Sequence, residues 1–97
     1  MKPFHFHPEA LFEADESAKF YEERQHGLGK RFVEALTDAI TRIRRTPELF
    51  GRVDDNIRKC RILRFPYGVI YRDKKKSVEI IAVMHLKRKP DYWKKRI

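Results

Sequence analysis

The sequence predicts an α+β fold of order β-α-α-β-β-β, a helical hairpin packed on one face of a mainly antiparallel sheet. Three observations carry this expectation. Two apolar stripes at helical spacing are separated by a glycine-containing turn, which reads as an αα-hairpin. Three runs of strand-forming residues follow in the second half. The connections between those runs are short, whereas parallel neighbours would need a crossover of about a dozen residues.

The elements can be justified in order. Phe4 and Phe6 alternate with His5 and His7, a period of two that suggests a short first strand. Pro8 and Glu9 suit a first helical turn, where proline lacks only an amide that would be unpaired anyway. Leu11, Ala14, Ala18 and Tyr21 then recur on one helical stripe, with Glu13, Asp15, Glu16 and Glu23 largely off it. Gly27 and Gly29 mark the turn. Leu28, Phe32, Leu36, Ala39, Ile40 and Ile43 form the second stripe, which Thr46-Pro47 ends. Leu49, Phe50 and Gly51 read as a connecting loop, followed by strands at residues 57–65, 67–72 and 77–85.

The sheet has a peculiarity. Strict alternation puts Val78, Ile80, Ala82 and Met84 on one face of the last strand and Ile81 and Val83 on the other. In the strand before it, Val69 and Tyr71 oppose Ile70. An antiparallel sheet with one wet face alternates apolar and polar more cleanly. Something therefore covers the second face: the C-terminal segment, another copy of the chain, or an apolar segment of a partner.

Composition bounds the rest. Ninety-seven residues make one domain, here taken as 1–97, with chain enough for a single core. Hydrophobic content of 41% is above the disordered range although 38% of residues are charged. No window approaches the roughly 18–20 apolar residues of a membrane span, and the N-terminus has no apolar run of the signal-peptide kind. A lone Cys60 fits a reducing cytoplasm. Charge is uneven: residues 1–26 carry a net −3 and residues 27–97 a net +12. Such clustering favours a polyanionic or acidic partner over mere solubility, for which both signs are more often mixed.

The basic half ends in a run from His85 through Arg88, Tyr92, Trp93 and Arg96. Arginines with nearby aromatics can cradle a phosphodiester while rings stack on bases. Metal-independent RNA cleavage at such a site needs an acid or base and cations for the developing phosphorane charge. His85 is the best acid or base here, and Arg58, Arg61 and Arg88 the best charge stabilisers. The plainer alternative is a histidine that ends a strand, beside solvated arginines, with Tyr92 and Trp93 as packing residues. His5 and His7 share a strand face but do not complete a metal site, and no metal or cofactor is expected.

The chain resembles the RelE/ParE superfamily of toxins from bacterial type II toxin–antitoxin modules over nearly its whole length. The resemblance rests on the acidic, alanine-containing first helix, Leu28-Gly29-Lys30-Arg31-Phe32, and Ile43-Arg44-Arg45-Thr46-Pro47. It continues through residues 61–72 and the closing stretch from Ala82 to His85 and from Arg88 to Trp93, then Arg96. It implies the same β-α-α-β-β-β fold and a cognate antitoxin that wraps the toxin, covering the sheet at Val69, Tyr71, Ile81 and Val83. RelE-like members cut messenger RNA on the ribosome, whereas ParE-like members inhibit DNA gyrase.

The nuclease pattern has an arginine where Gly68 follows Tyr67, and a second near Leu86, with Arg88 two residues on. Arg61 and Tyr92 do match nuclease positions. Losing one preorganised contact of this kind costs on the order of 10²–10³ in rate, so the reading leans to the ParE-like branch. The expected target-binding residues are Arg58, Arg61, Arg64, Tyr67, His85, Arg88, Tyr92, Trp93 and Arg96. A nuclease would use Arg61, His85, Arg88 and Tyr92. A third reading is a degenerate toxin that only binds antitoxin.

Overall fold

The computed structural model describes all 97 residues, Met1–Ile97. A helical hairpin, α1 (Pro8–Arg24) and α2 (Leu28–Arg45), lies on a five-stranded sheet of β1 (Phe4–Phe6), β2 (Arg52–Asp54), β3 (Ile57–Arg61), β4 (Tyr67–Asp73) and β5 (Val78–His85). The strand order is β1-β5-β4-β3-β2, with β1 parallel to β5 and every other pair antiparallel. A short 3₁₀ helix, Tyr92–Arg96, follows β5. The architecture is the expected α+β one, with two additions that the sequence reading lacked: β2 and the 3₁₀ helix.

Local chemistry sets the helix ends. Pro8 opens α1, and the Nδ1 of His7 accepts from the Glu9 amide at 3.1 Å, so His7 is a helix cap. Gly27, in the left-handed region at φ 87°, turns the chain into α2. α2 has no capping side chain of its own. Glu22 of α1 supplies one, accepting from the Gly27 and Gly29 amides at 3.0 Å each, where a negative charge also suits the helix dipole. Of the expected α2 stripe Phe32, Leu36, Ala39, Ile40 and Ile43 are buried and Leu28 is half-buried; on α1 Ala10 and Ala14 are buried, Ala18 and Tyr21 are half-buried, and Leu11 is exposed. Small residues on α1 let it lie close to its neighbours.

Two details of the sheet differ from expectation. β3 stops at Arg61 rather than residue 65, because Arg64 adopts φ 71° and the Ile62 amide donates back to the Tyr67 carbonyl, closing a turn. In β5 the register slips between Ile80 and Ala82, opposite Tyr71 and Ile70, leaving Ile81 as a bulge. Strict alternation therefore fails. Val78, Ile80 and Val83 face the helices, while Ile81, Ala82 and Met84 face the other way.

That second face is covered by the chain itself. Trp93 is 1% exposed and packs with Ile57, Ile70, Ile81, Ala82 and Met84 as a second, smaller core. Of the three coverings the sequence allowed, the C-terminal segment is the one observed.

Candidate functional site

The C-terminal segment is anchored through one carboxylate on α1. Oε1 of Glu13 accepts from the Val83 amide at 2.9 Å and from Nη1 of Arg96 at 3.0 Å. Oε2 accepts from the Tyr92 hydroxyl at 2.7 Å and from Nη2 of Arg96 at 2.9 Å. Arg96 Nη1 also donates to the Ile81 carbonyl at 3.0 Å. β1 pairs with β5 only from Val78 to Ile80, so Glu13 and Arg96 satisfy edge groups of β5 that β1 does not reach. The Arg96 side chain is only 5% exposed and that of Glu13 12%. Hydrogen bonding to Glu13 raises the pKa of Arg96 still further, and burial followed by the same carboxylate pushes the Tyr92 phenol well above its ordinary range. Tyr92 is thus a neutral, engaged hydroxyl near neutral pH.

Arg88 belongs to the same cluster from outside. Its guanidinium lies 3.8 Å over the Tyr92 ring centre and its Nη1 is 3.6 Å from Glu13 Oε2. Arg88, Tyr92 and Arg96 line one recess with Pro8, Glu9, Phe12, Glu13 and Lys95.

Arg61 and His85 are elsewhere. Arg61 pairs across the sheet with Gly68, which pairs with Met84, so Arg61 sits on the row facing Trp93. His85 pairs with Tyr67, and their rings meet edge-on at 4.9 Å. Tyr67 is buried among Tyr21, Phe32 and Phe65 under the helices. His85 therefore stands on the opposite face from Arg61. Its Nδ1 accepts from the Lys87 amide at 3.0 Å, which leaves Nε2 to carry the proton of the neutral ring. The four residues of the nuclease reading do not share a pocket.

Several expected target-binding residues are structural. Tyr67 and Trp93 are buried, Arg96 is locked to Glu13, and Arg58 is half-buried with its Nη1 donating to the Phe50 carbonyl at 2.6 Å. Tyr92 is half-buried, whereas Arg61, Arg64 and Arg88 remain exposed. Lysines that the sequence reading left unnamed stand among them. Lys59 runs along the sheet beside Gly68, where an added Cβ would meet its Cδ at 3.0 Å. Lys59, Lys89 and Lys94 line a cleft of about 460 Å³ whose apolar residues include Ile70, Met84 and Trp93. The charge run already contained them, but nothing in it separated these lysines from the others.

The expected antitoxin-facing residues need correction. Val69, Tyr71 and Val83 are buried under the helical hairpin and Ile81 under the second core. Their side chains are covered by this chain and present no surface. Exposed apolar surface lies instead along a groove between β1, α1 and α2, where Phe4, Leu11 and Val33 are exposed and Phe6, Leu36 and Ile40 also contribute. No sequence signal marked it beyond Leu11 and Val33 as apolar residues on the helices.

Buried thiol and phenol groups add no reactive centre. Burial raises the pKa of Cys60 and, more strongly, of Tyr71, whose hydroxyl donates to the Pro47 carbonyl. No helix is long and apolar enough to cross a membrane.

Comparisons with known proteins agree with this architecture. A chain of the "Chromosomal ParDE TA system from P. aeruginosa" superposes with a TM-score of 0.64 at 16% identity, covering 90% of this chain and 98% of that one. At that identity the likeness speaks for the fold. No curated protein sequence matches the chain. The family described as "ParE toxin of type II toxin-antitoxin system, parDE" matches residues 4–90, which takes in the hairpin, all five strands and the loop that leads to Trp93. By that match the chain belongs to the ParE family, the toxins of type II toxin–antitoxin systems.

Proposed function

We propose that this toxin inhibits growth by binding DNA gyrase through its basic C-terminal surface, and that a cognate antitoxin holds it inactive in the cytoplasm. The observation that carries the non-catalytic reading is the dispersal of the nuclease set. Arg61 and His85 stand on opposite sheet faces, Tyr92 donates to Glu13, and Arg88 lies over the Tyr92 ring beside the same carboxylate. Phosphorane stabilisation needs preorganised donors converging on one point, and Gly68 supplies none. The family relationship supports gyrase as the target. The exposed groove at Phe4, Leu11 and Val33 is the apolar surface that an antitoxin segment would cover.

The test is a supercoiling assay with the purified chain. Gyrase is expected to be blocked or trapped in cleaved complex, and the neighbouring antitoxin to relieve this. Cut messages on translating ribosomes, with gyrase unaffected, would instead favour the ribosome-dependent endoribonuclease. Unimpaired growth on expression without antitoxin would leave only a degenerate toxin that retains antitoxin binding.

A further inference from the structure

Five lysines surround the 3₁₀ segment: Lys59 on β3, Lys87 and Lys89 in the loop after β5, and Lys94 and Lys95 within the segment. All are exposed except Lys59, which is half-buried. Lys94 faces Asp54 at 3.7 Å, and the other four make no ion pair. Four of them lie on its two flanks. Lys59, Lys89 and Lys94 line the cleft on one side, and Lys95 with Arg88 lines the recess beside α1 on the other. Glu9 and Glu13, the acids of that recess, are already paired with Arg96 and Arg88. What remains towards solvent is a ridge with unpaired positive charge on two sides.

The identity of these cations and the state of the aromatics decide what such a ridge binds. Lysines are point charges suited to phosphate oxygens without a fixed bidentate geometry. Single-stranded nucleic acids are held largely by stacking successive bases on aromatic faces, and the ridge offers a single exposed ring, Phe12 at the edge of the recess. Trp93 is 1% exposed, and Tyr92 is covered by the Arg88 guanidinium. An acidic peptide would fill one flank only. A double helix presents phosphates along both sides of a groove. The B-form major groove, about 12 Å wide, admits a helical segment, whereas that of A-form RNA is too narrow for side chains to enter.

We propose that the 3₁₀ ridge binds the phosphate backbone of duplex DNA, without regard to sequence, through Lys59, Lys87, Lys89, Lys94 and Lys95. This goes beyond the toxin's action on a protein target and does not depend on that target being gyrase. Binding of this kind releases condensed counterions, so it carries a quantitative signature.

The full chain would be titrated onto a fluorescein-labelled duplex DNA of mixed sequence, with anisotropy read across a salt series. Four to five phosphate contacts predict a slope of log K against log salt of about −4, a loss of affinity on the order of 10²-fold between about 50 and 200 mM salt. The double variant Lys89→Gln/Lys95→Gln, one lysine from each flank, should flatten the slope by about two. Unchanged emission from Trp93 would show that the fold is intact. Lys30→Gln/Lys75→Gln, the same charge change on α2 and in the β4–β5 turn, should leave the slope within about one-half unit of the parent. The proposal is overturned if this control flattens the slope as much as the ridge variant, since net charge alone would then explain binding. It is equally overturned if single-stranded DNA, duplex RNA or poly-glutamate binds as tightly as duplex DNA, or if the parent slope is no steeper than about −1.

Discussion

Glu13→Gln tests whether the C-terminal segment is held by one buried carboxylate. The glutamine keeps an oxygen for the Val83 amide but loses the negative charge and the second acceptor that serve Tyr92 and Arg96. Arg96, with a side chain only 5% exposed, then keeps that oxygen and the Ile81 carbonyl through Nη1, with Glu9 at 3.7 Å, but its Nη2 loses its acceptor and its charge loses its buried counter-ion. Removing one partner of a buried pair costs about 3–5 kcal/mol, and the residual contacts place this case near the lower end, at about 3 kcal/mol. For a domain of this size 1 kcal/mol moves the melting temperature by about 4–8 °C, so a fall of about 12–24 °C follows. Trp93 is the single tryptophan and lies in the second core, so urea titration followed by its emission reports on the region directly. Arg96→Met should cost a similar amount. The double variant should cost less than the sum by at least about 1.5 kcal/mol, because neither charge is then stranded. A loss under about 1 kcal/mol with no coupling would put the cluster among solvent-exposed ion pairs and refute the reasoning.

Three further expectations follow from other parts of the molecule. Gly29→Ala should destabilise by about 1–3 kcal/mol in chemical denaturation, although alanine is the better helix former by about 1 kcal/mol, because its Cβ would stand 2.6 Å from the Ala18 carbonyl oxygen of the facing helix. Gly68→Arg, which restores an arginine of the nuclease pattern, should crowd the Lys59 stem at 3.0 Å and still yield no message cleavage on ribosomes, since Arg61 and His85 stay on opposite sheet faces and Tyr92 stays bound to Glu13. Stability against pH should have two limbs. Tyr92 and Tyr71 have folded pKa values above their ordinary 10.0, so their contribution is full below that pH and is lost as pH rises through the folded values. Glu22 is held below its ordinary 4.5, chiefly by the Gly27 amide, so its contribution is present above that pH and lost as pH falls through the folded value. Tyr92→Phe should flatten the alkaline limb and Glu22→Gln the acid limb, each read from melts across pH.

Legibility in the sequence followed the range of the interactions involved. The stripe from Phe32 to Ile43 was readable because a period of 3.6 is written into consecutive residues. β2 was not: Arg52, Val53 and Asp54 are all exposed, so no buried face left an alternation to find. The bulge at Ile81 was hidden for the opposite reason. Every residue from Ile80 to Met84 is apolar, and a slip of one residue exchanges faces without changing the pattern. Glu13 looked like a solvated acid because its partners lie 70 or more residues away, at Val83, Tyr92 and Arg96.

The charge asymmetry was legible, but it has two uses that one sequence number cannot separate. The acidic first helix and the basic C-terminus partly neutralise each other, through Glu9 and Glu13 against Arg88 and Arg96. Arginine is the cation most engaged in folding. Arg42, Arg44, Arg58 and Arg96 each donate to a main-chain carbonyl, on Arg61, Lys2, Phe50 and Ile81 respectively. A planar guanidinium can satisfy such an acceptor with one donor while its stem packs against apolar surface and its other donors find a carboxylate. An ammonium is more strongly hydrated and costs more to bury, so all the lysines but Lys2 and Lys59 stay exposed. The residues that looked most like a catalytic or target-binding set were the arginines and aromatics, which largely build the fold. Much of what the fold leaves free for a partner is the lysine among them.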